Sequence, residues 1–272
     1  MLRRSKQFSG PDRLFYGWEW YYDGFDQHVD QLLLSLYEKK PLLRSTDLLR
    51  TSVDIGCGHG HRAFSLAKLG IFDQVIACDL GERTDYIKWQ NRFLTAANLV
   101  TRRPAAPIKF MQANVLNLNP SFFRTADVVH INFRNVAHFL EPNELYQALF
   151  NIHSIASSGA VISMSFDALT KDKTKTISTD ELVTEAHFGE HLLRKIQGTA
   201  IYRKYQSEAV ISQMQSLGFI ISKNKIIGDA EDFRDGECHI MAFTPQHPIQ
   251  HMNDKSRLIQ RTGLSAAPIL YH

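Results

Sequence analysis

The stretch Val53-Asp-Ile-Gly-Cys-Gly-His-Gly60 joins a short apolar segment to three glycines on alternate positions. A second apolar segment, Val75-Ile-Ala-Cys-Asp79, ends on an aspartate nineteen residues after Gly60. Glycines at this spacing let the backbone turn tightly after a strand and approach a ligand closely, which a Cβ would prevent. A carboxylate at the end of the next strand is placed to accept hydrogen bonds from ribose hydroxyls. The pattern predicts a βαβ unit that binds the nucleoside part of a cofactor.

The charge of this loop indicates which cofactor it suits. A dinucleotide fingerprint, G-x-G-x-x-G, would place its third glycine at residue 61, where this chain has His61. Asp54 adds a negative charge two residues before Gly56, and this charge repels a pyrophosphate but attracts an ammonium or a sulfonium. An NAD-dependent oxidoreductase is therefore disfavoured.

The motif Asp54-x-Gly56-x-Gly58-x-Gly60, followed by Asp79, resembles that of the class I S-adenosylmethionine (SAM)-dependent methyltransferases. In that family the glycine loop encloses the methionine end of SAM, and the acidic residue after the second strand binds the ribose. The resemblance covers about residues 45–245 and implies SAM as the cofactor. The cofactor-binding residues it implies are Asp54, Gly56, Cys57, Gly58, Gly60, Asp79, Leu80, Asn114, Val115 and Asn132.

Two positions depart from the family pattern. Asn114 stands where the third strand often ends with an acidic residue that faces the adenine amino group. Its carbonyl can still accept a hydrogen bond, but it carries no charge. Ser157-Ser-Gly159 stands where many members have a Pro-Gly-Gly turn.

Strand and helix patterns alternate along the rest of the chain. An amphipathic helix is predicted after Asp79. A second helix is predicted after Pro142, with Asn143 as its N-cap, and a third is predicted from Ser207 to Leu217. The remaining strands are predicted at 107–114, 126–133, 160–166, 219–227 and 238–243. This alternation predicts an α/β fold with a doubly wound, mostly parallel, seven-stranded sheet.

The organisation expected is one SAM-binding methyltransferase domain at residues 1–245. An N-terminal helical cap, 1–45, precedes the core at 46–245, and an insertion after the fifth strand, 167–205, is the candidate substrate lid with a helix at Asp180–Arg194. Seven aromatic residues between Phe15 and Phe25 either pack the cap on the sheet or line the cofactor mouth. Residues 246–272 form a C-terminal tail.

Composition sets further bounds. The net charge of +3 does not indicate a nucleic-acid partner and does not exclude one. Three cysteines, with no C-x-x-C pair, are too few for a disulfide framework. No segment approaches a membrane span, and the first residues lack the apolar stretch of a signal peptide. We therefore expect a cytoplasmic protein with no membrane partner.

One motif invites a metal interpretation. His187-Phe-Gly-Glu-His191 matches H-x-x-E-H, in which two histidines one helical turn apart bind zinc. Gly189 weakens such a helix, and the sequence indicates no third ligand. We expect no metal.

No residue pattern identifies a catalytic base. Methyl transfer from a sulfonium needs an aligned acceptor and excluded water, and only some acceptors need a base. The candidate bases are His138, His187 and Tyr205, together with His130. The fourth strand is followed by Asn132-Phe-Arg-Asn135 rather than Asn/Asp-Pro-Pro-Tyr/Phe, which disfavours amino-group methylation of adenine or glutamine by that arrangement.

The sequence therefore predicts a SAM-dependent methyltransferase that acts on a small molecule enclosed by the cap and the lid. RNA or protein is the alternative acceptor. A non-catalytic protein that binds or senses SAM is the alternative of another class. The acceptor atom and the oligomeric state stay open.

Overall fold

A computed structural model describes residues 24–38, 48–81, 84–98, 104–168, 178–182, 201–227 and 237–245. The predicted C-terminal tail, most of the N-terminal cap and His187 and His191 lie outside these ranges. Within the described residues, no helix combines the length and apolar character needed to cross a bilayer.

Nine strands and five α-helices are described. The strands are β1 (Leu49–Ile55), β2 (Gln74–Asp79), β3 (Ile108–Gln112), β4 (Ala126–Arg134), β5 (Val161–Asp167), β6 (Ser178–Leu182), β7 (Ile201–Tyr205), β8 (Ile220–Ile227) and β9 (Glu237–Phe243). The α-helices are α1 (Gly24–Tyr37), α2 (His61–Lys68), α3 (Thr84–Asn98), α4 (Pro142–Ile155) and α5 (Ser207–Ser216).

Seven strands form one sheet in the order β3-β2-β1-β4-β5-β9-β8. The first five strands pair in parallel, and β9 is antiparallel to both β5 and β8. The predicted doubly wound, mostly parallel sheet is confirmed. The strand order reverses at β1, so a crevice opens between the carboxyl ends of β1 and β4, where α/β sheets of this type bind their ligands.

Each face of the sheet buries its own apolar cluster, because successive side chains of a strand point to opposite faces. One cluster joins Val53, Ile131 and Ile162 of the central strands to α4 and α5. The other joins Val75 and Val161 to α1, α2 and α3. Helices therefore cover both faces, and the loops that follow the parallel strands meet at one edge.

The predicted helix at Asp180–Arg194 is wrong over its first residues. Ser178–Leu182 is a strand that pairs antiparallel with β7, with Leu182 opposite Ile201. The extended conformation of Ser178–Leu182 is stabilised by cross-strand hydrogen bonds to a partner about twenty residues later in the chain. The local sequence Asp-Glu-Leu does not indicate that partner. Residues 183–194 of the predicted helix lie outside the described ranges.

The start of α4 also differs from the prediction. Glu141, not Asn143, is the N-cap, and Pro142 occupies the first helical position. The Glu144 carboxylate accepts a hydrogen bond from the Glu141 N–H at 2.7 Å, which satisfies an N–H at the start of the helix.

Candidate functional site

The glycine loop after β1 folds back onto β2. The N–H groups of Gly56 and Cys57 both donate to the carbonyl of Cys78, at 2.8 and 2.9 Å. Gly56 has a φ of +70°, and a Cβ on it would clash with Val136. Any other residue at position 56 would therefore be strained and would displace the segment after β4. The loop conformation depends on this glycine.

Gly60 closes the loop and precedes α2. Its φ is +78°, and a Cβ there would lie 2.7 Å from Ile87 Cδ1 and 2.8 Å from Gln90 Oε1. Gln90 also donates to the carbonyl of His59 at 2.8 Å, so α3 holds the loop from outside. The backbone at the N-terminus of α2 is thereby kept close to the carboxyl ends of β1 and β2.

Asp79 connects the glycine loop to the turn after β2. Its Oδ2 accepts a hydrogen bond from the Gly58 N–H at 2.8 Å, and its Oδ1 accepts one from the Gly81 N–H at 3.0 Å. Each carboxylate oxygen can accept a further hydrogen bond. The carboxylate is thus fixed in orientation and retains the capacity to accept ribose hydroxyls.

Leu80 and the residues after β3 form a neighbouring surface. The Leu80 side chain is 67% exposed, while its carbonyl is held by Gln112 Nε2 at 2.9 Å. Asn114 Oδ1 accepts from the Leu116 N–H at 2.9 Å, so one of its two acceptor positions is already occupied. The carbonyl of Val115 accepts from Asn151 Nδ2 at 2.8 Å, which anchors this segment to α4.

Asp54 lies beneath the loop and is only 1% exposed. Its Oδ1 accepts a hydrogen bond from Asn132 Nδ2 at 2.7 Å. Its Oδ2 is buried without a hydrogen bond of ordinary geometry among the described residues, although the nearby Ala63 N–H favours the charged form. Burial raises the pKa of Asp54 to about 6, against the opposing effects of the Asn132 hydrogen bond and the Arg62 charge. A cation placed at Oδ2 would stabilise the carboxylate.

A buried ionic cluster, which the sequence patterns did not predict, lies beside this loop. Asp26 of α1 contacts Arg134 Nη1 at 2.7 Å and Arg62 Nε at 3.3 Å. Arg62 also reaches Asp30 at 2.8 Å, and Arg134 reaches Glu237 at 3.4 Å. Arg134 is the last residue of β4, so the first turn of α1 is fastened at the carboxyl edge of the sheet.

Further contacts join the same elements. The Phe25 ring lies 4.7 Å from that of His239, and the Arg134 guanidinium lies 5.4 Å from the Phe25 ring centroid. Burial alone would raise the pKa of Glu237, but its hydrogen bond to His239 and the Arg134 charge bring it down to about 2. The signal available in the sequence was the pair Asp26 and Asp30, two acids one helical turn apart on the face that carries Val29 and Leu33.

Most of the candidate bases lie in buried surroundings. The Tyr205 hydroxyl donates to the Leu140 carbonyl at 2.5 Å, and the residue is 1% exposed. Burial lowers the pKa of His138 to about 3, so this imidazole is neutral near pH 7. His130 lies within the sheet rather than at a strand end, between Ser52 and Ser163. His187 lies outside the described residues.

The ligand sets that metal ions require can be sought among the described residues. No group of three or more His, Cys, Asp or Glu side chains is found there in an arrangement suited to a metal ion. The three cysteines, Cys57, Cys78 and Cys238, are buried as free thiols.

Comparison with known proteins agrees with this geometry. Residues 53–164, from β1 to β5, match the methyltransferase domain family. No curated protein matches the sequence.

Solved structures share the fold at low sequence identity. A 1,6-didemethyltoxoflavin-N1-methyltransferase from Burkholderia thailandensis, solved with 1,6-didemethyltoxoflavin and S-adenosylhomocysteine (SAH), superposes with a TM-score of 0.54 at 12% identity, covering 82% of this chain and 79% of that one. A SAM-dependent methyltransferase from Methanosarcina mazei gives 0.51 at 13%, covering 76% and 99%. The N-methyltransferase NodS from Bradyrhizobium japonicum, with SAH, gives 0.50 at 14%, covering 86% and 96%.

The sheet order, the glycine loop and the matched domain together define a class I Rossmann-like methyltransferase fold. Residues 53–164 match a methyltransferase domain, and a SAM-dependent domain of this kind implies SAM as the cofactor.

Proposed function

We propose that this methyltransferase transfers a methyl group from SAM to a small-molecule acceptor. The observation that carries the proposal is the attachment of α1 at the carboxyl edge of the sheet. Asp26 and Arg134 are both buried there, and their ion pair fastens the helix beside the glycine loop. The first turn of α1 thus forms a wall at the carboxyl edge of the sheet. Such a wall leaves room for a small molecule that enters the domain and less room for the surface of an RNA or a protein.

The residues at the loop fit SAM. The Asp54 Oδ2, which has no hydrogen bond of ordinary geometry among the described residues, suits the ammonium of the methionine part. The glycine backbone leaves room that a Cβ would fill. Asp79 would accept the ribose hydroxyls, and the exposed Leu80 would pack on the adenine beside Asn114 and Val115. Gly58, Cys57 and Asn132 complete the set, with Asn132 acting through Asp54.

When bound, SAM supplies an electrophilic methyl group on a positively charged sulfur. The protein has to orient the acceptor and keep water away from it. The Tyr205 hydroxyl is already engaged with Leu140, and His138 is buried and neutral. These surroundings favour an acceptor atom that is nucleophilic without a strong base, such as a neutral nitrogen.

The names of the structural neighbours are compatible with this proposal. The Burkholderia enzyme was solved with the small molecule 1,6-didemethyltoxoflavin, and NodS is described as an N-methyltransferase. Low-molecular-mass nitrogen compounds are therefore the first acceptors to test. The free, buried cysteines are compatible with the expected cytoplasmic location.

A transfer assay with labelled SAM tests the acceptor class. The protein is incubated with the small-molecule filtrate, the RNA fraction and the protein fraction of a cell extract, and label is measured in each. We expect label in the filtrate, and much less there with Asp79→Ala when the SAM concentration is below saturation. Label confined to RNA or protein would contradict the small-molecule proposal, and SAM binding with no label in any fraction would favour a SAM-sensing role.

A further inference from the structure

A line of hydrogen-bonded polar side chains crosses the three central strands and ends on Asp54. Asn132 Nδ2 donates to Asp54 Oδ1 at 2.7 Å, and Asn132 Oδ1 accepts from Ser163 Oγ at 3.1 Å. His130 Nε2 lies 3.1 Å from Ser163 Oγ, and His130 Nδ1 lies 2.8 Å from Ser52 Oγ. All five residues are buried.

The sheet register brings these residues together. Asn132 is opposite Asp54 on β1 and opposite Ser163 on β5, while His130 is opposite Ser52. Residues two apart on a strand share a face, so the polar side chains form one continuous line. Val75 and Val161, which lie on the same face of the sheet, are apolar.

The direction of every hydrogen bond in the line follows from Asp54. An ionised carboxylate only accepts, so the Asn132 amide must turn its NH₂ toward Asp54 and its carbonyl toward Ser163. Ser163 has one hydroxyl hydrogen, and Asn132 Oδ1 at 3.1 Å is a closer acceptor for it than the Ile131 carbonyl at 3.5 Å. Donating this hydrogen to Asn132 leaves the Ser163 oxygen to accept from His130. The imidazole is then the Nε2–H tautomer, and its Nδ1 accepts from the Ser52 hydroxyl.

The opposite tautomer would break the line. With the proton on Nδ1, His130 Nε2 would take the only hydroxyl hydrogen of Ser163, and Asn132 Oδ1 would be buried without this donor. The amide would then lose the bond that fixes its orientation. A reversed amide would turn its oxygen toward the Asp54 carboxylate, where the two acceptors repel each other.

We propose that His130 is a positioning residue for methyl-donor binding, which acts through Ser163 and Asn132 to keep the Asn132 N–H directed at Asp54. The inference rests on the proposed role of Asp54 as the ligand of the SAM ammonium. Burial keeps the pKa of His130 well below its usual range, so the imidazole stays neutral near neutral pH. The hydrogen bonds to Ser163 and Ser52 then select its tautomer. His130 is thus no catalytic base, because both of its ring nitrogens are engaged inside the sheet.

Binding of SAH, which carries the same ammonium as SAM, tests the proposal. Ser163→Ala removes the hydroxyl that links His130 to Asn132 and should raise the SAH Kd about three- to tenfold at pH 7. Because the carboxylate loses an oriented donor, the pH at which affinity reaches its plateau should also rise, by up to about one unit. Ser163→Thr keeps the hydroxyl and should restore both values.

Ser165→Ala is the matched control. Ser165 is a buried serine on the same strand and face, and it bonds to Arg134 and Asn135 instead of the line. The groups that also act on Asp54, Arg62 of α2 and Asp26 of α1, are unchanged in both variants. The control should leave the plateau pH of SAH binding where it is in the unaltered protein. Equal pH profiles for Ser163→Ala and Ser165→Ala would overturn the inference.

The tautomer itself gives a readout that does not need a variant to fold. Long-range ¹H–¹⁵N spectra of the ¹⁵N-histidine-labelled protein should show His130 as a neutral Nε2–H imidazole at pH 7, and an Nδ1–H imidazole would overturn the inference. The proposed role of Asp54 as the ligand of the SAM ammonium and the proposed role of His130 fail in different ways. If Asp54→Asn binds SAH as tightly as the unaltered protein, both are wrong. If Asp54→Asn weakens binding but Ser163→Ala does not, only the role of His130 is wrong.

Discussion

At the scale of single residues, Asp54 combines burial with a charge that the ligand would stabilise. Its carboxylate has one strong donor, Asn132, and the positive charge of Arg62 nearby, against the negative charge of Asp26. A raised pKa means that the protonated form is populated at mildly acidic pH in the free protein. Binding of an ammonium would shift that equilibrium toward the carboxylate.

The affinity for SAM or SAH should therefore depend on pH. The pKa of Asp54 is about 6, so affinity should increase as pH rises toward 6 and level off above it, with proton release on binding below the plateau. Calorimetry in buffers of different ionisation enthalpy measures that release. Asp54→Asn should bind weakly with a flat profile between pH 5 and 7, and a flat profile for the unaltered protein would contradict the prediction.

Asp79 should make a separate contribution to SAH affinity through its hydrogen bonds. Asp79→Ala removes the acceptor of the Gly58 N–H as well as the proposed acceptor of the ribose hydroxyls. We expect SAH affinity to fall by about ten- to a hundredfold, which corresponds to about 1.5–3 kcal/mol for hydrogen bonds to a charged group.

Asp73→Ala controls for the loss of an aspartate that holds a backbone amide. Asp73 precedes β2, at the amino edge of the sheet, and accepts from the Arg50 N–H at 2.8 Å. Its removal should leave the SAH Kd unchanged. Equal affinities for Asp79→Ala and the unaltered protein, with both folded, would exclude Asp79 as the ribose ligand.

At the scale of elements, α1 is attached by charge as well as by apolar packing. Val29 and Leu33 are fully buried in the cluster shared with α2 and α3, and Asp26 adds ion pairs to Arg62 and Arg134. Breaking a buried ion pair from one side is costly because the partner charge stays in the interior.

Asp26→Ala should lower the free energy of unfolding by about 3 kcal/mol, since it leaves two buried guanidinium groups short of a partner. Urea denaturation measures this change. Gln31→Ala, an exposed position of the same helix, should change stability by less than about 0.5 kcal/mol. A loss of similar size in both variants would mean that the ion pairs contribute little.

At the scale of the whole molecule, the segment between β5 and α5 is far from the glycine loop in sequence and can be shortened separately from it. Leu182 and Ile201 face each other in the β6–β7 pair, and Tyr205 forms a further bridge with Ala168 after β5. A two-residue Asn-Gly turn in place of residues 183–200 would join these strands as a hairpin. The 167–205 insertion remains our candidate lid.

We expect this replacement to keep the SAH Kd within about threefold and to abolish transfer to a small molecule, because the acceptor would lose alignment and shielding from water. Calorimetry and the labelled-SAM assay measure the two properties separately. Full transfer activity in the shortened protein would refute the lid. A variant with scrambled sequence over 183–200 and unchanged length controls for the altered chain length.

The sequence by itself determined the glycine loop and the positions of the main strands along the chain. Asp54, the three glycines and Asp79 lie within one βαβ unit, so local periodicity and glycine spacing were enough to predict them. The strands at the centre of the sheet could also be predicted from the sequence, because each is a short, nearly continuous apolar run.

Only the tertiary structure decided which distant residues meet. The hydrogen bond between His130 and Ser52 joins positions 78 apart, and the pair of Arg134 and Glu237 joins positions 103 apart. The strand at Ser178–Leu182 depends in the same way on its partner at Ile201–Tyr205. Residue spacing carries no record of sheet order or register, so the ionic cluster at α1 and the polar line that ends on Asp54 came from the fold alone.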